Sequence, residues 1–480
     1  MRPRRSLRPE IARSRPRGTR SFGARSSRAR SFRARSATAV AALAVGLLAL
    51  TGCSTATPPA TGAATDRSAA GLDLGRGWDW TPQGAPLDLG VTHTQDSLDD
   101  HDPAEANARG EAILRDSGVW QNVHLMGFGT LSPEPAPGQY DWATLDERME
   151  LVQRTGARTV LTACCAPDWM KGGVPGRTDW TRLEAAPLPQ DFPAYAALVA
   201  RTVQRYPQIE RVVVWNELKG FFDMTKNRWD HEGYTALYNA VYTAVKAVRP
   251  DVQVGGPYPV MISLPKDDPN ASDTVTGSWG AIDRRILDAL GYWDANKVGA
   301  DFLAVDGGTA QRGGTISGRL DDAATKFSDV TRYLRTTSTL PIWWTEFYSE
   351  VPDGMTGAAD SQASAASTLA SVAAFARSGV SVALLWGPQG SSLEYSALWT
   401  DATEPAGGRP TPLTQAWQWL VPRLAQGTVE LGTAQDAPLI AFRAPDGSAV
   451  VVNVSDEEVP VDGQQPLAPY AIGIRNAPTA

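Results

Sequence analysis

From residue 87 onward, short apolar runs alternate with amphipathic stretches, and the alternation repeats eight times. The runs are Leu87–Thr92, Trp120–Met126, Thr159–Ala163, Val212–Trp215, Val252–Gly256, Phe302–Val305, Ile342–Thr345 and Val382–Trp386. Bounded by turn residues, they have the length and composition of strands buried on both faces. Between them, apolar residues at helical spacing predict helices over Asp102–Ser117, Asp141–Thr155, Phe192–Arg205, Gly233–Val248, Ile282–Asn296, Asp321–Thr336, Ala363–Arg377 and Leu413–Leu424. Asp102-Pro103 reads as a cap followed by proline at the first helical position, and Gly156 as the stop after a helix whose stripe is Leu145, Met149 and Val152. Eight strand–helix units predict an α/β chain closed into a (β/α)8 barrel over residues 71–425. An open doubly wound sheet is the alternative, but no glycine-rich phosphate turn follows the first strand.

After residue 425 the period changes. Thr428–Leu431, Leu439–Arg443, Ala449–Val454 and Tyr470–Arg475 are short strand-like pieces, with turn signals at Asp446-Gly447 and Asp462-Gly463. Residues 426–480 cannot bury much surface alone, so they are expected to form a small β module packed on the barrel, completed by the segment around Leu72–Trp80.

The first 36 residues carry 13 arginines and one acid, Glu10, and lead into the uncharged apolar run Ala37–Leu50. This run is too short to span a bilayer comfortably and reads as an export signal. It closes on Leu50-Thr51-Gly52-Cys53, which resembles the lipobox of bacterial lipoproteins. That resemblance implies a signal peptide over 1–52, lipidation of Cys53, and an extracytoplasmic protein held to the cell membrane by the lipid alone. Residues 53–70 are small, polar and proline-containing, a disordered tether. Without residues 1–52 the 45 basic residues fall to 32 and the 52 acidic ones to 51, so the net charge moves from −7 to −19. Such an acidic body argues against nucleic acid and anionic lipid as partners. Beyond Cys53 only Cys164 and Cys165 remain, which is no disulfide framework. Adjacent Cα atoms about 3.8 Å apart fall below the usual disulfide range, so two buried thiols are expected.

The chemistry lies at the ends of two strands. Val212–Val214 runs into Trp215, Asn216 and Glu217, and Pro341–Tyr348, PIWWTEFY, repeats the design around Glu346. A lone strand-end glutamate is by default a solvated loop residue or an ion-pair partner. Two of them, at the carboxyl ends of strands four and seven of one barrel, can face each other across a pocket as glycosidic hydrolysis requires. The WNE and TEF stretches resemble clan A of the glycoside hydrolases, and Gly138–Trp142 with Ala166–Met170 are most similar to family 39, the β-xylosidases and their relatives; the resemblance spans about residues 85–425.

The resemblance implies a retaining double displacement with Glu217 as acid/base and Glu346 as nucleophile. It implies further that Asn216 bonds the sugar 2-hydroxyl and that Trp386 floors the sugar, although a terminal barrel tryptophan also packs easily as core. His93, after strand one, can reach the site, whereas His124, within strand two, reads as a core histidine. Trp169 and Tyr258 line subsites or wedge their loops. Asp306 departs from the clan's pattern, which has a His or Tyr after strand six. Beside an ionised Glu346 it raises a carboxylate pKa, or else it binds a sugar hydroxyl. There is no His/Cys cluster with metal spacing and no phosphate loop, so neither metal nor cofactor is expected. The expected partner is a carbohydrate; the sequence sets no oligomeric state. A sugar-binding surface lipoprotein without turnover and a transglycosylase are the alternatives to hydrolysis.

Overall fold

The computed structural model describes residues 77–475 except 96, 315, 317, 353–354, 356–357, 391–395 and 461–465. The leader 1–52, Cys53 and the tether 53–70 lie outside the described residues. Eight parallel strands, Asp88–Thr92, Trp120–His124, Arg158–Ala163, Ile209–Val214, Gln253–Val260, Phe302–Gly308, Ile342–Tyr348 and Val382–Trp386, close into a barrel in sequence order. The eighth returns to the first with Val382 opposite Asp88 and Trp386 opposite Thr92. Helices Ala104–Arg115, Ala143–Thr155, Phe192–Arg205, His231–Val248, Arg284–Asn296, Leu320–Thr337, Ala358–Ser378 and Thr414–Leu424 follow the strands in turn. The (β/α)8 architecture read from periodicity is the architecture observed.

Alternation along each strand builds two cores. One set of side chains faces the helices; the other, including Trp120, Val160, Val213, Phe302, Ala304, Trp343, Val382 and Leu384, fills the barrel. Trp343 anchors the filling, stacked on Phe302 with ring centroids 4.4 Å apart and tilted against Trp120 at 5.3 Å. One step nearer the strands' carboxyl ends the interior turns polar. There Asn122 Nδ2 donates to Thr92 Oγ1 (3.2 Å), Thr162 Oγ1 to Asn122 Oδ1 (3.0 Å), and Thr92 Oγ1 to the Thr345 carbonyl (2.7 Å). Such satisfied polar layers fix the register of the strands that carry the site above them.

Strand one can approach strand two closely only because it carries Gly90. A Cβ there would sit 2.2 Å from the Trp120 carbonyl oxygen and 2.8 Å from Leu384 Cδ2. Gly90→Ala is therefore expected to cost about 1–3 kcal/mol or more in urea unfolding; an unchanged midpoint would contradict this packing.

The small β module is a five-stranded antiparallel sheet of Trp78–Pro82, Glu430–Ala434, Leu439–Arg443, Ala449–Asn453 and Ile472–Arg475, in that spatial order. Trp78–Pro82 pairs with Glu430–Ala434, so the chain just before the barrel does complete the sheet. One face packs Leu439, Ala441 and Val451 under Trp78 and Trp80, while Leu431, Phe442, Val450 and Val452 of the other join the main apolar cluster of the helix layer.

Three local readings are corrected. The first helix begins at Ala104, because Pro103, with φ −54° and ψ 119°, stands at the N-cap rather than inside the helix; the Asp102 carboxylate accepts the Asp99 N–H. Ile282 belongs to a strand, Gly280–Asp283, of a three-stranded excursion with Ser263–Leu264 and Ala271–Gly277; Asp283 caps the fifth helix by accepting the Arg285 N–H (3.1 Å). Finally, the peptide joining Cys164 to Cys165 is cis, the Cα atoms are 3.0 Å apart, and the two buried sulfurs are bonded, where separate thiols were expected on a trans spacing.

Candidate active site

Strand four ends abruptly. Val213 faces the barrel interior, Val212 and Val214 face the helices, and then Trp215, Glu217 and Leu218 take φ values of 71°, 52° and 53°. Three non-glycine residues in the left-handed region within four positions are costly, about 1–3 kcal/mol each, and are held by surrounding contacts. The Trp215 indole supplies much of the hold: it packs edge-on to Tyr195 and Phe221 and donates to the Lys219 carbonyl (2.8 Å). The turn leaves Asn216 buried and the Glu217 side chain 11% exposed.

Strand seven uses a bulge. Val305 of strand six lies opposite Trp344, but Asp306 lies opposite Glu346, so Thr345 is the extra residue. Trp343 faces the barrel interior and Trp344 the helix layer, where its N–H meets Thr331 Oγ1 (3.1 Å). Strict alternation would send Glu346 outward with Trp344; the bulge re-aims it. Glu346 is 4% exposed and accepts the Tyr258 hydroxyl at 2.7 Å. Tyr258 arrives because strand five runs on to Val260, beyond its expected end at Gly256.

The result is a three-carboxylate cluster. Glu217, Asp306 and Glu346 each offer one oxygen, and these oxygens lie within 4.8 Å of one another. Asp306 is fully buried, and neither of its oxygens has a hydrogen-bond donor among the described residues. Glu217 is salt-bridged to the Lys219 ammonium, which also binds Glu184 Oε1 at 2.7 Å. Asn216 Nδ2 sits 3.4 Å from the same Glu184 oxygen, while its buried Oδ1 has no partner among the described residues. Three carboxyl oxygens this close are also the one set among the described residues that could hold a divalent cation, but the Lys219 ammonium already brings positive charge to Glu217.

Burial, reinforced by Glu346 and Glu217, pushes the Asp306 carboxyl far above the usual range. Burial and then Glu217 push Glu346 up as well, opposed by the Tyr258 hydroxyl and by Lys219. Burial pulls the Lys219 ammonium down, but Glu217 and Glu184 outweigh it and hold the lysine charged. The two raised carboxyls bind protons more tightly in the folded chain than in the unfolded one. The stability they contribute is therefore full below their ordinary values of 3.8 and 4.5 and is lost as pH rises through the elevated ones. Thermal unfolding measured from pH 4.5 upward is expected to show a falling Tm, and Asp306→Asn to flatten the fall; a variant curve parallel to wild type would contradict it.

Around the cluster stand aromatic and imidazole groups. Trp386, at the end of strand eight, is half-buried and edge-on to Phe128 (5.6 Å) and His124 (6.4 Å). His124 is buried, and neither ring nitrogen has a hydrogen-bond partner among the described residues. Burial and then the Lys219 charge lower it to about 3, outweighing the nearby Asn216 amide, so it is a neutral imidazole. His93 turns the other way. Its Nε2–H donates to Gln121 Oε1 (3.1 Å), whose amide donates to Thr155 of the second helix (2.8 Å). Burial and Arg148 keep it neutral, also at about 3. Trp169 donates its N–H to the Glu134 carbonyl (2.9 Å), tying the loop after strand three to the loop after strand two.

Of the residues singled out in the sequence, the fold thus brings together Glu217, Glu346, Asp306, Tyr258 and Asn216, with Trp386 against His124 near them. It does not bring His93 to them, and Trp169 serves its loop. Lys219 and Glu184 were missed, and His124, read as a core histidine, is buried as expected but lies beside Trp386 and Phe128. Lys219 stands two residues beyond Glu217 in the same turn, and His124 continues the inward alternation of Trp120 and Asn122, so both left a signal; Glu184 lies in a loop without pattern.

No protein-family model matches the chain, and no curated protein matches it. Solved structures do resemble it. A monomeric β-xylosidase from Caulobacter crescentus CB15 has a TM-score of 0.53 at 16% identity, over 82% of this chain and 77% of that one. A GH39 β-xylosidase from Caulobacter crescentus gives 0.50 at 16%, over 80% of each. A conserved exported protein from Bacteroides fragilis gives 0.56 at 11%, over 83% of this chain and 97% of that one. At these identities the likeness speaks for the fold, and the fold this chain shares is that of glycoside hydrolase barrels.

Proposed function

We propose that the chain is a retaining glycoside hydrolase acting on an extracellular or cell-envelope polysaccharide or oligosaccharide. The observation that carries this reading is the pair Glu217 and Glu346, delivered by strand ends four and seven with carboxyl oxygens within 4.8 Å. So close an approach favours direct attack by one carboxylate, for which carboxyl groups about 5–5.5 Å apart are usual, over the water-spanning pair of an inverting enzyme at about 6.5–9.5 Å. A Glu346 oxygen attacks the anomeric carbon as the glycosidic C–O bond breaks, and Glu217 protonates the departing oxygen. Water then attacks the same carbon, gives its proton to Glu217 and releases Glu346. The unpartnered Asn216 Oδ1 accepts a sugar hydroxyl, and Trp386 with Phe128 forms an apolar wall for a sugar face. Export and lipid attachment at Cys53 complete the proposal and rest on the leader sequence.

Proton NMR of the first product tests the reaction: the released sugar is expected with the anomeric configuration of the substrate. Inversion would overturn the assignment of Glu346. Tyr258→Phe removes the donor that favours an ionised Glu346, so the rising limb of the pH–rate profile is expected to move to higher pH. Activity at neutral pH then falls by roughly tenfold, the worth of about 1.5 kcal/mol for a hydrogen bond to a charged group. An unmoved limb would show that Tyr258 does not tune the nucleophile.

One observation favours a binder without turnover. Glu217 is salt-bridged to Lys219, the arrangement of a structural ion pair, whereas an acid catalyst must give a proton to the leaving group.

A further inference from the structure

The Lys219 contact raises the question of where the catalytic proton waits. Building on the hydrolase reading, we propose that Asp306 is the proton store of the site: a neutral carboxylic acid hydrogen-bonded to Glu217, through which its proton reaches the leaving group.

Geometry carries the assignment. Asp306 points into the cluster from strand six, fully buried, with no donor for either oxygen among the described residues. An ionised carboxylate in that position would be desolvated, uncompensated and beside two others. Glu346 has the Tyr258 hydroxyl and Glu217 has the Lys219 ammonium, so each has a group that stabilises its charge. Asp306 has no donor of its own and feels only through space the Lys219 ammonium, which is bonded to Glu217 and Glu184; oxygens of Asp306 and Glu217 lie within 4.8 Å, a contact that becomes a hydrogen bond only if one of the pair is protonated. The other groups facing it are Tyr348, on strand seven beyond Glu346, and the Lys326 ammonium on the sixth helix, which donates to the Gly308 carbonyl at 2.6 Å and makes no hydrogen bond to Asp306.

The proton balance closes over a full turnover. In the reactive state, reached as pH rises past the elevated Glu346 value of about 8, Asp306 holds the proton and Glu217 and Glu346 carry the charge. As Glu346 bonds the anomeric carbon it loses its charge; Asp306 passes its proton to Glu217, and Glu217 passes one to the departing oxygen. Asp306 and Glu217 are then both ionised beside a neutral ester, so the cluster's charge is unchanged. When water attacks, its proton returns through Glu217 to Asp306 as the ester bond breaks and Glu346 regains its charge. Like-charge repulsion links the two events: Asp306 can ionise only while Glu346 is esterified. Asp306 acts through Glu217 and is a positioning residue rather than one that touches the reacting atoms.

Infrared spectroscopy reads the proton directly. The folded wild type at neutral pH is expected to show a deuterium-sensitive carboxylic-acid C=O band that shifts when aspartate side chains carry carbon-13 and vanishes in Asp306→Asn. No such band, or one that shifts with labelled glutamate instead, overturns the proposal, and the labelled wild type gives the answer even if the variant fails to fold. Kinetics supply a second readout. Asp306→Asn is expected to slow cleavage of an alkyl glycoside, whose leaving group needs a proton, at least about 100-fold more than cleavage of a 2,4-dinitrophenyl glycoside, which needs none. Equal losses on both overturn it. A wild type that cleaves neither substrate counts against the hydrolase reading, while the infrared band still decides where the proton sits.

Discussion

Glu346→Gln is expected to lower kcat/KM by on the order of 10^4-fold or more, with the fold and substrate binding retained. The amide has nearly the volume of the carboxylate and accepts the Tyr258 hydroxyl through its oxygen, so the packing at the bulge survives. What disappears is the negative charge that must bond the anomeric carbon, and the neighbouring carboxyls do not substitute: Glu217 is salt-bridged to Lys219, and Asp306 is fully buried. Removing one charge from the cluster also relieves the repulsion on its neighbours, so the variant is expected to unfold at a temperature no lower than wild type's. Steady-state kinetics with a calorimetric check of folding measure both. Residual activity within tenfold of wild type would place the nucleophile elsewhere.

Glu217→Ala has a different signature, because the acid/base serves both halves of the reaction. Substrates with poor leaving groups lose about 10^2–10^4-fold in kcat/KM. A dinitrophenyl glycoside, needing no acid, is expected to keep its first step and stall in the second, where water has lost its base. The glycosyl-enzyme then accumulates, kcat and KM fall together, and a burst of dinitrophenolate precedes the slow phase. Azide needs no deprotonation, so it restores turnover and yields a glycosyl azide of retained configuration. Uniform loss on both substrates with no azide effect would remove Glu217 from the acid/base role and would favour Lys219 and Glu217 as a structural ion pair.

Much of this arrangement is legible in the sequence. Apolar strands such as Val212–Val214 have no burial reason to end in an acid, and that mismatch exposed Glu217 and Glu346. Eight β-rich runs separated by helical stripes left one closed architecture with both glutamates at its carboxyl-end mouth. The illegible part depends on where alternation breaks. The extra residue at Thr345 turns Glu346 inward, and no composition signal marks it. The two histidines exchange places for the converse reason, because alternation holds there: His93 continues the outward set of Leu89 and Val91, and His124 continues the inward set of Trp120 and Asn122. Glu184 reaches Lys219 from a loop 35 residues upstream, a closure no local pattern encodes. The bonded pair Cys164–Cys165 was hidden because the spacing argument assumed a trans peptide.

Trapping a covalent bond between Glu346 and a sugar tests the proposed reaction most directly. The folded protein is incubated with a panel of activated 2-deoxy-2-fluoro glycosides and examined by intact and peptide mass spectrometry. A stable gain of one fluorosugar is expected on the peptide holding Glu346, lost in Glu346→Gln, and the glycone that reacts identifies the accepted sugar. An adduct on a different residue, or cleavage of the parent glycosides with no adduct from their fluorinated counterparts, would contradict it.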